Sequence, residues 1–385
     1  MDERAKAVVE HLKAAHEEVM REQVKFAEIP CKDYRADERA KYLMGAWRAA
    51  GLAVKRDKVG NITAVIKGKS PKTRPTLILC AHVDSVFFDV EKIKVKRQGG
   101  KLHAPGICDD AAGVANLIVL ARAISKHRAA VAGDVVLAGS VGEESVGKIW
   151  GMEYFWKTAK WREPWFVAID GGTPGQVVRK ALASWSPTVT VSGPGGHSFS
   201  HFGRPNPVHM LARLVSKVTT IKADRSKNAI YNANVIAGGK GVNIIPEEAS
   251  VTINVRSSDM KELAKMRRRV EGFIREAKRE ELAWATRDRK LSVSVTAKGR
   301  PGGETAARHP LVKAAVEALA AEGLEAKFAV SSTDANMAMS MGAPAITISS
   351  GGTGHNAHSL DEWFDERGRT KDLAALGRLV FEVAG

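Results

Sequence analysis

Thiols are scarce in this chain. Its 385 residues include only three cysteines, Cys31, Cys80 and Cys108. They are odd in number, far apart and never spaced CxxC, which excludes a disulfide framework and a thiolate zinc site and points to reduced thiols. Cys108, although next to Asp109, reads as a small buried hydrophobe. Long apolar runs are also missing, so no bilayer-spanning segment is expected. The amino terminus, MDERAKAVVEHLKAAHEEV, carries charge from its first residues and has no apolar h-region, so no secretory signal is expected and a cytoplasmic location follows. Aromatics make up 6% of the chain and do not interleave with Lys and Arg. The net charge of +16 and pI near 9.7 therefore read as solvated helix faces, KMRRRVEGFIREAKREE among them, and no nucleic-acid partner is expected. Internal repeats, low-complexity tracts and the HExxH zinc motif are absent as well.

What is present is a soluble globular composition, 44% hydrophobic and 26% charged, at a length sufficient for two domains. Residues 2–50 read as two helices separated by a turn around Ile29, Pro30 and Cys31, the second running from Asp37 to Ala50. The segments LAVKRDK, NITAVIKGK and PTLILCAHVD read as strands, the last with the continuous apolar run of a buried central strand. A helix after Asp110, the strand DVVLAGSVGEE, a helix from Gly147 to Lys160 and the strand WFVAID continue the alternation. This order predicts an α/β domain with a mixed, mostly parallel sheet and helices on both faces. Near Val178 the pattern changes. From there to about Gly299 the order is β-α-β-β-α-β, with a long charged helix from Met260 to Arg279, which suggests a four-stranded antiparallel sheet with two helices, a ferredoxin-like insertion. A helix at Pro310–Glu322, the strand KFAVSS, a helix at Ala335–Met341, the strand APAITIS and a last helix resume the α/β alternation. The expected domains are therefore 1–178 with 300–385, and 179–299.

Chemistry in such sheets collects beyond the carboxyl ends of strands, and the candidate residues obey that rule. His82 and Asp84 follow PTLILCA, Glu143 and Glu144 follow DVVLAGSVG, and Asp170 follows WFVAI. Asp109 and Asp110 sit at a Gly-flanked turn before an apolar helix, where two neighbouring carboxylates would keep their protons unless a cation neutralised them. Zinc without thiolates takes imidazole and carboxylate, and His82, Asp109, Glu144, Asp170 and a carboxy-terminal His are the donors on offer. Five ligands allow two metals with Asp109 bridging. Glu143 is suited to take a proton from water, and Asp84 to accept from the outer nitrogen of His82. Singly these elements are weak, since HxD is often structural and a DD pair often makes a helix N-cap; their order at successive strand ends carries the argument.

The segment GEESVGK matches the start of a phosphate-binding loop, GxxxxGK. Ile149 stands where the magnesium-binding Ser or Thr belongs, and two carboxylates inside the loop would repel phosphate. That reading is rejected.

The segments AHVDSV, GICDDAAGV, GEES and AIDGG together resemble, over nearly the whole chain, the zinc-dependent exopeptidases and amidohydrolases that include peptidase T, carboxypeptidase G, aminoacylase and succinyl-diaminopimelate desuccinylase. The resemblance implies one zinc on His82, Asp109 and Asp170 and another on Asp109, Glu144 and a late His, with cobalt or manganese as substitutes. It also implies Glu143 as general base, Asp84 behind His82, and a cis Asp109–Asp110 peptide. Of the two late histidines, His358 precedes Glu362 by the spacing of the family's closing motif and is chosen over His355. GGHS followed by GRPN resembles the family's lid and dimerisation domain, which implies a homodimer in which His197 reaches the partner's zinc site and stabilises the tetrahedral intermediate. Asn243 and Arg256 match positions that contact the substrate's amide and carboxylate. The family commonly has Asp two residues before that Arg, and here it is Asn254.

The expected activity is hydrolysis of an amide bond in a small peptide or N-acyl amino acid, an exopeptidase of the peptidase T and carboxypeptidase G branch or else a deacylase or desuccinylase. The rival from another class is a non-catalytic basic binding protein on the same fold; it predicts gaps among the ligands, and the sequence has none.

Overall fold

The computed structural model describes residues 1–145 and 148–385. The chain divides into two compact units, one made of Met1–Ala181 and Gly303–Gly385, the other of Leu182–Gly302. The chain leaves and re-enters the larger unit at adjacent points, for the Ala181 N–H donates to the Gly303 carbonyl at 3.0 Å.

The larger unit is built on an eight-stranded sheet. Its order across the sheet is Val54–Arg56, Ile62–Ile66, Val135–Ser140, Thr76–His82, Pro164–Ile169, Ala345–Ile348, Gln176–Ala181 and Lys327–Ser331. The pairings from Val135–Ser140 through Ala345–Ile348 are parallel, as is that of the last two strands; the other three are antiparallel. The expected mixed sheet is thus observed. Thr76–His82 is buried at every residue, as its unbroken apolar run requires when helices cover both faces. Leu77, Leu79 and Ala81 face one core, with the helices Ala111–Lys126 and Arg369–Ala384; Ile78 and Cys80 face the other, with Trp150–Thr158 and Ala335–Ser340. The period of two along the strand assigns these faces.

Three features differ from the reading of the sequence. The first expected helix is two, Glu3–Ala14 and His16–Ala27, broken at Ala15. The first half packs on Arg369–Ala384 and the second on Ala111–Lys126, so the break redirects the chain between two partners. The helix expected from Gly147 is observed over Trp150–Thr158, and its expected first residue lies outside the described residues. A small sheet of three-residue strands, in the order Thr353–His355, Trp363–Asp365, Lys101–His103, Lys96–Gln98, was not foreseen. Strands this short carry no readable alternation.

In Leu182–Gly302 four antiparallel strands lie in the order Ile230–Gly238, Glu248–Ser257, Ala183–Ser192, Ser292–Lys298. Two helices, Pro207–Val218 and Met260–Trp284, pack on them. Each helix begins where its cap dictates: Asn206 Oδ1 accepts the Val208 N–H at 2.9 Å ahead of Pro207, and Asp259 Oδ1 accepts the Glu262 N–H at 2.8 Å. Strand Ala183–Ser192 alternates strictly between buried and half-buried, placing Trp185, Val189 and Val191 in the core with Leu211, Leu214 and Val270. Among the described residues, no helix is long and apolar enough to cross a membrane.

Candidate metal centre

Three parallel strands end side by side, with His82 opposite Ser140 and Cys80 opposite Ala168 in the register. The chain beyond each end therefore delivers Asp84, Glu143 with Glu144, and Asp170 to one edge of the sheet. The turn before Ala111–Lys126 supplies Asp109 and Asp110, whose peptide bond is cis, and the loop after Thr353–His355 supplies His358. Asp110 acts as the N-cap: Oδ1 accepts the Gly113 N–H at 3.0 Å and Oδ2 accepts the His82 N–H at 3.2 Å. Asp109 is left to point into the site, where His82 Nε2 lies 2.8 Å from Oδ1 and His358 Nε2 lies 3.2 Å from Oδ2. His358 Nε2 is also 3.1 Å from Glu144 Oε2.

Two groups of donors result, His82 with Asp109 and Asp170, and Asp109 with Glu144 and His358; within each, the donor atoms lie within 4.8 Å of one another. Asp109 belongs to both. Imidazole and carboxylate without thiolate suit zinc, cobalt or manganese, and the electrostatics ask for cations. Burial and the Asp109 charge hold Asp170 well above the usual carboxylate range. Burial likewise raises Glu144 and pushes Asp84 up to about 8. Hydrogen bonds to Asp109 and Glu144 push His358 up to about 10. Burial opposes a charge on His82, yet its hydrogen bond to Asp109 and the surrounding acids outweigh that and hold its imidazolium well above the ordinary value. Without metal, protons balance the charge that a cation would balance.

Asp84 differs from expectation. The outer nitrogen of His82 lies 3.2 Å from the Asp84 main-chain carbonyl and 3.8 Å from its carboxylate. The carboxylate accepts the N–H groups of Glu143 at 3.3 Å and Glu144 at 3.0 Å instead. A fully buried carboxylate gathers backbone donors where it can, and here those donors belong to the two site glutamates. His355 is exposed and faces Trp363, ring centroids 4.7 Å apart, so of the two late histidines it is His358 that stands at the carboxylates.

The sequence model of peptidase family M20/M25/M40 matches residues 78–382. The chain belongs to this family. It is 26% identical over 214 residues to carboxypeptidase G2 of Pseudomonas sp. (strain RS-16), covering 54% of this chain and 49% of the relative. The chain thus spans about half the length of that curated relative. A tripeptidase of Staphylococcus aureus shares the fold with a TM-score of 0.79 at 20% identity, over 96% of this chain and 97% of that one. A Bacillus subtilis family member described as a dinuclear metal binding peptidase shares it with a TM-score of 0.69 at 16% identity, over 96% and 99%.

The remaining expected residues of this family member lie in Leu182–Gly302. The exposed His197 ring accepts the N–H groups of Phe199 at 3.2 Å and Ser200 at 3.4 Å on Nδ1. It therefore does order a turn, but through Nδ1 alone, which in the neutral ring leaves the proton on Nε2. Asn243, also exposed, lies alongside: its carbonyl accepts the Ser198 N–H at 2.9 Å. Arg256 stands apart on strand Glu248–Ser257, where its Nε donates to Asn254 Oδ1 at 2.9 Å. The departure at Asn254 thus preserves an acceptor for the arginine.

The sequence reading missed the role of Glu362, used there only as a spacing mark. Its carboxylate is fully buried and accepts three main-chain N–H groups of the Asp109 turn, from Gly106 and Cys108 at 2.8 Å each and Asp109 at 3.0 Å.

Proposed function

We propose that the chain is a two-metal hydrolase that cleaves an amide bond in small peptides or N-acyl amino acids, with zinc as the metal. One observation carries the reading: two His–carboxylate donor groups share Asp109. The description of the Bacillus subtilis neighbour as a dinuclear metal binding peptidase agrees with it. His82, Asp109, Asp170, Glu144 and His358 would hold the metal pair, which when bound would supply Lewis-acid chemistry, lowering the pKa of water and offsetting charge on a carbonyl oxygen. Glu143, buried beside Glu144, takes the proton of the attacking water and returns it to the leaving amine. Asp84 fixes the backbone of both glutamates through the two hydrogen bonds described above. His197 donates its Nε2 proton to the oxyanion, while Asn243 and Arg256 hold the substrate's amide and carboxylate.

In this reading Leu182–Gly302 is a lid and dimerisation domain with a ferredoxin-like sheet, and His197 serves the partner's metal centre. Strand Ile230–Gly238 supports a dimer: it is an outer strand of its sheet, with Val235 60% and Ile236 65% exposed, an edge that a second copy can extend. Leu182–Gly302 also holds 21 of the 59 Lys and Arg residues against 10 of the 43 Asp and Glu, which favours carboxylate-bearing substrates. The proposed setting is the cytoplasm, consistent with three free cysteines.

Action in trans has a distinctive signature. His197→Ala and Glu143→Gln proteins, each nearly inactive alone, should regain up to roughly a quarter of parental activity when dissociated and reassociated together, because half of the mixed dimers' sites are then intact. A mixture no better than its components, or a parent that sediments only as a monomer at micromolar concentration, would refute the action of His197 in trans.

The function itself is tested by metal analysis of protein purified without chelator, paired with amine release from di- and tripeptides and N-acetyl and N-succinyl amino acids. About two zinc, cobalt or manganese ions per chain and chelator-sensitive hydrolysis are expected, and the preferred substrate separates exopeptidase from deacylase. A reconstituted protein that binds no metal and hydrolyses nothing refutes the proposal in favour of a binding protein.

A further inference from the structure

We infer that Glu362 is a positioning residue that couples the two metal sites, by locking the loop that carries His358 to the turn that carries Asp109. The inference rests on the two-metal reading above. Glu362 Oε1 accepts the N–H groups of Cys108 and Asp109, Oε2 accepts that of Gly106, and its main-chain carbonyl accepts the Ala104 N–H at 3.2 Å. Four hydrogen bonds therefore run from one residue into the stretch 104–109. On its other side the Glu362 N–H donates to the Ser359 carbonyl at 3.1 Å, closing a turn that begins just after His358.

Loop and turn come from the two separate stretches of the larger unit's sequence, and this side chain ties them together beside the strand pairing of Trp363 with His103. The 3.2 Å separation of His358 Nε2 and Asp109 Oδ2 depends on that joint. The two metal groups differ in how much they depend on it. His82, Asp109 and Asp170 share only Asp109 with the clamp, whereas Asp109, Glu144 and His358 draw a ligand from each side of it.

A glutamine has the same shape but must turn its amide NH2 toward at least one of the three N–H donors, which removes a bond and opposes two donors in a buried place. Glu362→Gln should thus weaken one metal site more than the other. Asp372 provides the control for simple destabilisation. It is also buried, with its Oδ1 accepting the Gly175 N–H at 2.8 Å in the same unit, and it touches neither metal group.

The test is a calorimetric and visible-absorption titration of chelator-stripped parent, Glu362→Gln and Asp372→Asn proteins with Co2+. The parent should bind two ions. In Glu362→Gln the second step should weaken about tenfold or more while the first changes less than about threefold, so the cobalt spectrum develops in two separated stages. Asp372→Asn should lower the melting temperature and leave both steps in place. Equal weakening of the two steps, no weakening, or the same selective effect in Asp372→Asn would overturn the coupling. If Glu362→Gln does not fold, Glu362→Asp keeps the charge on a shorter arm and gives the same comparison. A parent that binds no Co2+ defeats the two-metal reading as well; a parent that binds two ions and hydrolyses nothing defeats only the hydrolase reading.

Discussion

Glu143→Gln should lower kcat by about two to four orders of magnitude, the usual contribution of a positioned proton-transfer group. Metal content should not change. Glu143 is only 4% exposed and stands one residue before Glu144, outside both donor groups, so an isosteric amide removes its proton chemistry and leaves the ligands in place. Its main-chain N–H remains with Asp84, and the loop keeps its form. Steady-state rates on the best substrate, with metal analysis of the same sample, decide the matter. Activity within about tenfold of the parent at full metal loading would show that another group handles the proton.

Removing the metal should reverse the pH dependence expected of an ordinary globular protein. In the stripped chain burial pushes Asp84 up to about 8 and Glu362 up to about 7, and raises Asp110 and Asp170 well above the usual carboxylate range. His358, up to about 10, acts in the same direction. The folded state therefore keeps carboxyl protons that the unfolded chain has released by about pH 5, and an imidazole proton that the unfolded chain releases near about pH 6.5. Stability is present in full below the unfolded carboxylate value and is lost as pH rises through the folded ones, at up to about 1.4 kcal/mol per pH unit for each such group. Thermal melts of stripped protein should fall steadily between pH 5 and pH 8. Metal-loaded protein should be protected, because bound cations replace the protons, and the gap between the two melting temperatures should widen with pH. A stripped protein whose melting temperature is flat or rises over this range would contradict the electrostatic account of the site.

Most of the candidate metal centre was readable in the sequence because parallel strands impose a rule. Once PTLILCA, DVVLAGSVG and WFVAI are recognised as neighbouring parallel strands, His82, Asp84, Glu143, Glu144 and Asp170 must gather at one edge, whatever their separation in sequence. Asp109 was legible for another reason, as one of two adjacent carboxylates at a Gly-flanked turn that call for a cation; only the structure tells the pair apart, because Asp110 caps the helix. The choice between His355 and His358 was of a different kind. Both lie in one loop, no periodicity separates them, and only resemblance pointed to His358. The structure separates them through Trp363, which faces the His355 ring. Glu362 and the small sheet around it escaped notice because three-residue strands and a clamp between positions 250 residues apart leave no local pattern. Asp84 illustrates the limit of spacing arguments: HxD places both side chains on one face, but burial sent the carboxylate to the glutamate N–H groups.

The adjacency of Ala181 and Gly303 orders events during synthesis. Leu182–Gly302 is continuous, so all of its strands and helices are available as soon as it has left the ribosome. The larger unit has no such option. Its strand Ala345–Ile348 lies between Pro164–Ile169 and Gln176–Ala181, and both must wait, edges open, until a partner made more than 160 residues later arrives. The inserted unit can mature early while the host sheet closes last, which makes the unfinished host the aggregation-prone stage of biogenesis.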